Sequence, residues 1–335
     1  MTPTQSMRRS SLRHTQRGVN LIEIMVAMVI GLFLVMGATT LYVNTRKSSD
    51  VDDSIARMQE TARYAMSVIE TDVRMANNWG LKKDGSNFDN GNSNSNAVTG
   101  ATASNRYGGM TANSLEPSTG NTCGLGTATN VDRYVEATDS SFPFTTSCPP
   151  SPGNASGTAD TLIVRRVNSA TSAADSNFLQ VCSTRTAATI ISDSSATCQN
   201  GEIHNLSTNI YYINLGSDQS SSFPSLRRKV LVSGKVFNDV EVIPGIEDFQ
   251  VELGWDNSAT DSAGAVRYVS PNALPAGGRI VAVRVWLLVR ADQPDFTFTD
   301  TRTYSYANRV GYSPNDNFRR LLMSRTFFIR NVTGT

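Results

Sequence analysis

Few residues in this chain have the types and spacing for chemistry, and the most informative lie near its start. In residues 16–35, "QRGVNLIEIMVAMVIGLFLV", the pair Arg17-Gly18 precedes a long apolar run, and a single carboxylate, Glu23, stands just inside it. A charge at mid-membrane costs about 2.5–3.5 kcal/mol on insertion scales, and less near an interface. Glu23 therefore needs a partner.

The remaining reactive side chains offer little for catalysis. Of the two histidines, His14 lies upstream of Gly18, and His204, in "GEIHNLS", reads as a surface-loop residue rather than a general base. No nucleophile elbow, phosphate loop or HExxH motif is present. Asp84 with Asp89, and Asp256 with Asp261, lack the alternate-residue order of a calcium loop, so no metal or cofactor is assigned. The chain reads as a protein that is not an enzyme.

Cys123, Cys148, Cys182 and Cys198 have no close C-x-x-C spacing, which disfavours zinc. They read as structural disulfides of an oxidising compartment. Four cysteines allow three connectivities; the sequential one, Cys123 with Cys148 and Cys182 with Cys198, closes the shortest loops.

The elements that must position these groups begin with the apolar run. From Ile24 to Val43 no residue is charged, and at about 1.5 Å rise per residue that stretch spans roughly the 30 Å core of a bilayer. Arg8, Arg9, Arg13 and Arg17 precede it with no acid among the first 18 residues, which orients the N-terminus to the cytoplasm. Without those 18 residues, 26 basic side chains face 29 acidic ones. No basic stripe with interleaved aromatics appears, so nucleic acid is not indicated as a partner.

No proline interrupts the chain between Pro3 and Pro117, and Ile55, Met58, Ala62, Ala65, Ile69, Val73 and Ala76 continue at helical spacing. The expected helix is about 90 Å long, half in membrane and half amphipathic, and ends at Asn77, Asn78 and Gly80. Asp53 with Arg57, Glu60 with Arg63 and Glu70 with Arg74 are spaced for pairs on its exposed faces.

From Lys82 to about Asn130 the Asn/Gly/Ser/Thr composition reads as a long exposed loop. From Asp160 onward strand patterns dominate: "TLIVRRV", "FLQVCST", "NIYYINL", and "LRRKVLVSGKVFNDVEV" with a turn at Ser233-Gly234. In "RIVAVRVWLLVRAD" Val281, Val283, Val285, Leu287 and Val289 share one face, and Arg284, Trp286 and Arg290 the other. This predicts a central strand packed on the stem helix, with "LLMSRTFFIRN" as the last strand after a short helical turn. The expected fold class is α+β, one long helix on an antiparallel sheet, with long loops and disulfides.

Arg17-Gly18 followed by Val19-Asn20-Leu21-Ile22-Glu23 and an apolar run closely resembles the class III signal of type IV prepilins. "RMQETARYAMSVIETDVRMANNWG", "VIPGIEDFQVELGWD" and "IVAVRVWLLVRAD" look like the corresponding stretches of the PilW family of minor pilins, and of the related J-type minor pseudopilins of type II secretion. The resemblance implies cleavage by a prepilin peptidase between Gly18 and Val19 and N-methylation of Val19. It also implies that Glu23 pairs with the Val19 amine of a neighbouring subunit during assembly. Phenylalanine is commoner in the family where this chain has Val19, and Leu81 stands where members often have a cysteine.

On that reading the organisation is leader 1–18, membrane half of the stem 19–43, amphipathic half 44–80, variable loop region 81–159 and β-rich pilin domain 160–335. Implied partners are other minor pilins, the major pilin and the inner-membrane assembly machinery. The implied location is the inner membrane with the globular part periplasmic, then the pilus, a fimbrium whose functions include cell adhesion and twitching motility. A J-type pseudopilin is the alternative, and a membrane-anchored adhesin or enzyme that keeps its leader a further one.

Overall fold

The computed structural model describes residue 18, residues 20–82, 123, 131, 133–144, 148–256, 266–275 and 279–332. The chain divides into two compact units, residues 1–53 and 54–335. The helix α1 (Leu21–Met75) runs across this division.

In the first unit the described part is essentially the helix. It is long and apolar enough to cross a membrane, and none of its most apolar window is buried within the chain. Leu21, Met28, Phe33, Leu34 and Leu41 are each at least 64% exposed. A helix apolar on every face has its complement in lipid or in other chains.

In the second unit the same helix becomes one-sided. Met58, Ala62, Ala65, Ile69, Val73 and Ala76 are buried, the predicted stripe apart from the half-buried Ile55, and Met66 is buried with them. The alanines let the sheets approach closely. Of the predicted surface pairs, Glu70 and Arg74 meet at 2.8 Å. Arg57 reaches Asp292 instead, at 3.5 Å. Helix α1 stops where Asn77 takes a positive φ of 62° and Gly80 one of 86°.

Strands follow in two larger sheets and a hairpin, all antiparallel, where a single sheet is expected from the sequence. The seven-stranded sheet holds β1 (Val135–Thr138), β2 (Thr161–Thr171), β3 (Gln180–Ser183), β4 (Ala188–Ile191), β5 (Glu202–Asn214), β6 (Ser225–Val232) and β7 (Val236–Pro244). Its main order is β1-β2-β5-β3-β4; β6 pairs with the second half of β5, and β7 with β6. The β6–β7 turn is Ser233-Gly234-Lys235, with Gly234 and Lys235 at positive φ.

The four-stranded sheet has the order β13 (Arg320–Phe328), β10 (Arg279–Arg290), β8 (Ile246–Asp256), β9 (Arg267–Val269). Strand β10 is central, and its Val283, Val285, Leu287 and Val289 join the core around the helix. Strand β13 begins directly at Arg320, and no helical turn precedes it. Strands β11 (Tyr304–Tyr306) and β12 (Arg309–Tyr312) form a hairpin whose Tyr304 and Tyr306 cluster with Leu288 and Trp286.

The seven-stranded sheet is buried on both faces. Leu162, Val164, Tyr211 and Ile213 point to the helix, while their neighbours Ile163, Val167, Ile210 and Tyr212 enter a second core with Trp79, Phe142, Phe144 and Cys148. This explains why "TLIV" and "NIYYI" read as continuous apolar runs rather than alternating ones. Strand β1 lies inside the stretch 81–159 expected to be loop, and lays its Val135 into the first core.

Candidate assembly site

The first turn of α1 holds the one acid of the apolar segment. The Asn20 carbonyl accepts the Glu23 N–H at 2.9 Å and the Ile24 N–H at 3.2 Å, which closes the helix start. The Glu23 carboxylate is exposed and has no ion-pair partner among the described residues. Its position in the first turn also suits the positive end of the helix dipole. Gly18 is exposed, with no atom within 4 Å of where a Cβ would stand. Val19 lies outside the described residues, as do Asp84, Asp89, Asp261, His14 and nearly all of the predicted loop between 82 and 130.

What fastens the stem helix to the globular part was not singled out in the sequence. Asp72, 2% exposed, sits on the apolar stripe of α1. Its carboxylate accepts from Arg166 Nη2 at 2.9 Å and Nε at 3.1 Å, from Asn209 Nδ2 at 2.7 Å, and from the Tyr211 hydroxyl. Arg228 stands 3.6 Å away. Burial, with the Asp72 charge second, pushes the Tyr211 hydroxyl well above its ordinary pKa, so it stays a donor. The sequence signal was present: Asp72 falls at stripe spacing between Ile69 and Ala76.

His204 does not lie where the sequence places it. It lies within β5, 4% exposed, not on a surface loop. Its Nδ1 stands 3.0 Å from the Asn168 carbonyl and 3.1 Å from that of Ala170, and its Nε2 3.2 Å from Glu202. A Cβ at Gly80 would stand 2.7 Å from the His204 ring, so the imidazole packs beneath the turn that ends the stem. Next to it in the same segment, Asn205 Oδ1 accepts from Ser172 Oγ at 3.1 Å and Gln180 Nε2 at 2.8 Å.

The cysteines are joined as Cys123–Cys148, with Cα atoms 4.7 Å apart, and Cys182–Cys198, at 5.6 Å. Cys148 is fully buried in the second core, while the other bridge ties β3 to the segment before β5. Asp256 is buried and paired with Arg279 at 3.4 Å. Among the described residues no group of three or more His, Cys, Asp or Glu is placed to hold a metal.

Two further buried acids connect the covering segments. Asp160 accepts the backbone N–H groups of Ser140 and Val251, each at 2.8 Å, and burial pushes its carboxyl up to about 7. Asp248 accepts from Tyr306 at 2.5 Å and pairs with Arg309 at 2.8 Å. Both carboxylates are engaged in holding chain segments together.

An exposed apolar N-terminal helix, continuing as a helix packed on antiparallel sheets with two disulfides, defines an α+β protein. Residues 210–331, less than half of the chain, match the PilW family, described as type IV pilus-assembly protein W. The PilW resemblance drawn from the sequence holds over this stretch, which contains both "VIPGIEDFQVELGWD" and "IVAVRVWLLVRAD". Among solved structures the chain is similar to a type IV-like pilin from Thermus thermophilus, with 16% identity, a TM-score of 0.26, and coverage of 52% of this chain and 81% of that one. No curated protein matches.

Proposed function

We propose that this chain is a minor pilin that takes part in assembling or priming a type IV pilus and enters the filament, at its tip or along it. The observation that carries this reading is the conjunction of a lone first-turn carboxylate, Glu23, on an otherwise exposed apolar helix with a PilW match in the globular part. Cleavage between Gly18 and Val19 frees an amine, methylated on Val19, and Glu23 of one subunit pairs with that amine on a neighbour. In an apolar filament core the low dielectric strengthens the attraction. An unpaired carboxylate there is strongly disfavoured, so the pairing selects register.

Before assembly the same helix anchors the chain in the inner membrane with the globular part in the periplasm. The role is structural rather than enzymatic, and the partners are other minor pilins, the major pilin, the peptidase and the assembly machinery. Intact mass and N-terminal sequencing of the chain from sheared pili and from membranes test this. A chain beginning at methylated Val19 in the sheared fraction is the expected result. A chain that keeps its leader and stays in membranes would refute it.

A further inference from the structure

The two larger sheets end in the edge strands β1, β4, β7, β9 and β13. Strands β1, β4 and β9 are only three or four residues long. Strand β7 has nine residues, but it carries Asp239 and Glu241, ends in Pro244 and pairs with β6 through a register shift. Short length, charge, proline and bulges all keep an open edge from pairing with another chain. Strand β13 is nine residues long, has no proline or lysine, and pairs with β10 without a register shift. Its one exposed charge, Arg325, is drawn to Glu70 of the stem helix at 3.0 Å.

The register shows which main-chain groups this edge leaves open. The Ile329 N–H donates to the Val281 carbonyl at 3.0 Å and the Ala291 N–H to the Arg319 carbonyl at 2.9 Å. Antiparallel pairing alternates, so the odd-numbered residues of β13 bond to β10 and the even-numbered ones face away. The Arg320 carbonyl accepts from Arg302 at 3.3 Å. The N–H and C=O groups of Leu322, Ser324, Thr326 and Phe328 have no partner among the described residues.

The side chains beside this edge narrow what can occupy it. On the helix side, Leu321 and Met323 are half-buried against the core, so an added strand with apolar residues there extends the same surface. On the other side, Phe328 is 63% exposed. Charge is one-sided at the far end. Glu70 receives both Arg74, at 2.8 Å, and Arg325. Arg330, whose N–H donates to the Arg74 carbonyl, is exposed and pairs with no acid among the described residues. Three arginines thus share one glutamate.

We propose that the open edge of β13 is a docking site for an extended, acidic segment of another protein, added as a fifth strand to the four-stranded sheet. Main-chain hydrogen bonds to Leu322, Ser324, Thr326 and Phe328 hold it, apolar side chains lie beside Leu321 and Met323, and its acid meets the arginine cluster. The site is built from the globular unit alone and stands or falls separately from the pilus reading.

The probe is a fluorescently labelled peptide of alternating valine and threonine with one glutamate, titrated with the full-length chain in non-ionic detergent and read by anisotropy. Saturable binding is expected, with protection of the Ser324 and Thr326 amides from hydrogen exchange. Ser324→Pro removes an N–H that faces away from β10, a place where an edge strand tolerates proline, and should lower affinity by about tenfold or more. Lysine in place of the peptide's glutamate should weaken binding by about tenfold. If Ser324→Pro unfolds the protein, the amide protection and the charge preference carry the test. The proposal is overturned by no saturable binding up to about 1 mM, by unprotected amides, or by equal affinity for the two peptides. A chain that self-associates without peptide and becomes monomeric in Ser324→Pro overturns it in favour of a second copy as the occupant.

Discussion

Asp72 of the stem helix and Arg166 of β2 meet at 2.9 Å, with the carboxylate 2% exposed. One charged pair thus fastens the helix to the sheet inside the core, assisted by Asn209 and Tyr211. Its geometry leaves two arginines, Arg166 and Arg228, dependent on a single acid.

Asp72→Ala is expected to destabilise the globular unit by about 3–5 kcal/mol, the usual cost of stranding a buried charge by deleting its partner. Urea unfolding of the full chain in detergent measures this. A loss below ~1 kcal/mol would show that water reaches the two arginines in the folded state.

The Asp160 carboxyl, pushed up to about 7 by burial from an ordinary value of 3.8, sets a pH dependence. Because the folded state holds this proton more tightly than the unfolded chain, the stabilisation is fully present below about pH 4. It is lost as pH rises toward 7, at up to ~1.4 kcal/mol per pH unit. Asp160→Asn should flatten that slope, as read by unfolding midpoints at several pH values; an unchanged slope would assign it to another group.

Removing the Cys182–Cys198 bridge, which spans 16 residues, by a paired Cys→Ala change should cost ~3 kcal/mol on the chain-entropy estimate. Thermal melts of the double variant against the parent, with and without reductant, check this. The double variant should be less sensitive to reductant than the parent, since one bridge remains rather than two.

Gly18→Glu should block leader removal, leaving one longer species on immunoblots. Glu23→Ala should still insert and be cleaved yet be depleted from sheared pili by about tenfold or more, reflecting a lost pairing in an apolar core. Wild-type incorporation of Glu23→Ala would remove the assembly role from that carboxylate.

Gly80→Ala should destabilise the end of the stem by more than the ~1 kcal/mol of a simple positive-φ penalty. The new methyl would stand 2.5 Å from Ser183 Oγ and 2.7 Å from the His204 ring. Hydrogen exchange at Asn77 and Leu81 reads this locally.

The sequence by itself determined the elements whose signals are local. An uncharged run of membrane length, an apolar stripe at helical spacing through Met58, Ala62, Ala65, Ile69 and Val73, and the alternation of Val283, Val285, Leu287 and Val289 each name an element and its buried face. Those periodicities follow from backbone geometry alone. Tertiary structure decided what those faces meet. It divided the strands between two larger sheets, buried β2 and β5 on both sides, and took His204 out of the predicted loop into a strand. It also brought Arg166, Asn209, Tyr211 and Arg228 to Asp72 from positions 94 or more residues along the chain. Pairing at that separation depends on which chains close on one another, which no local spacing encodes, so a buried polar centre looks in sequence like an acid on the wrong face of a helix.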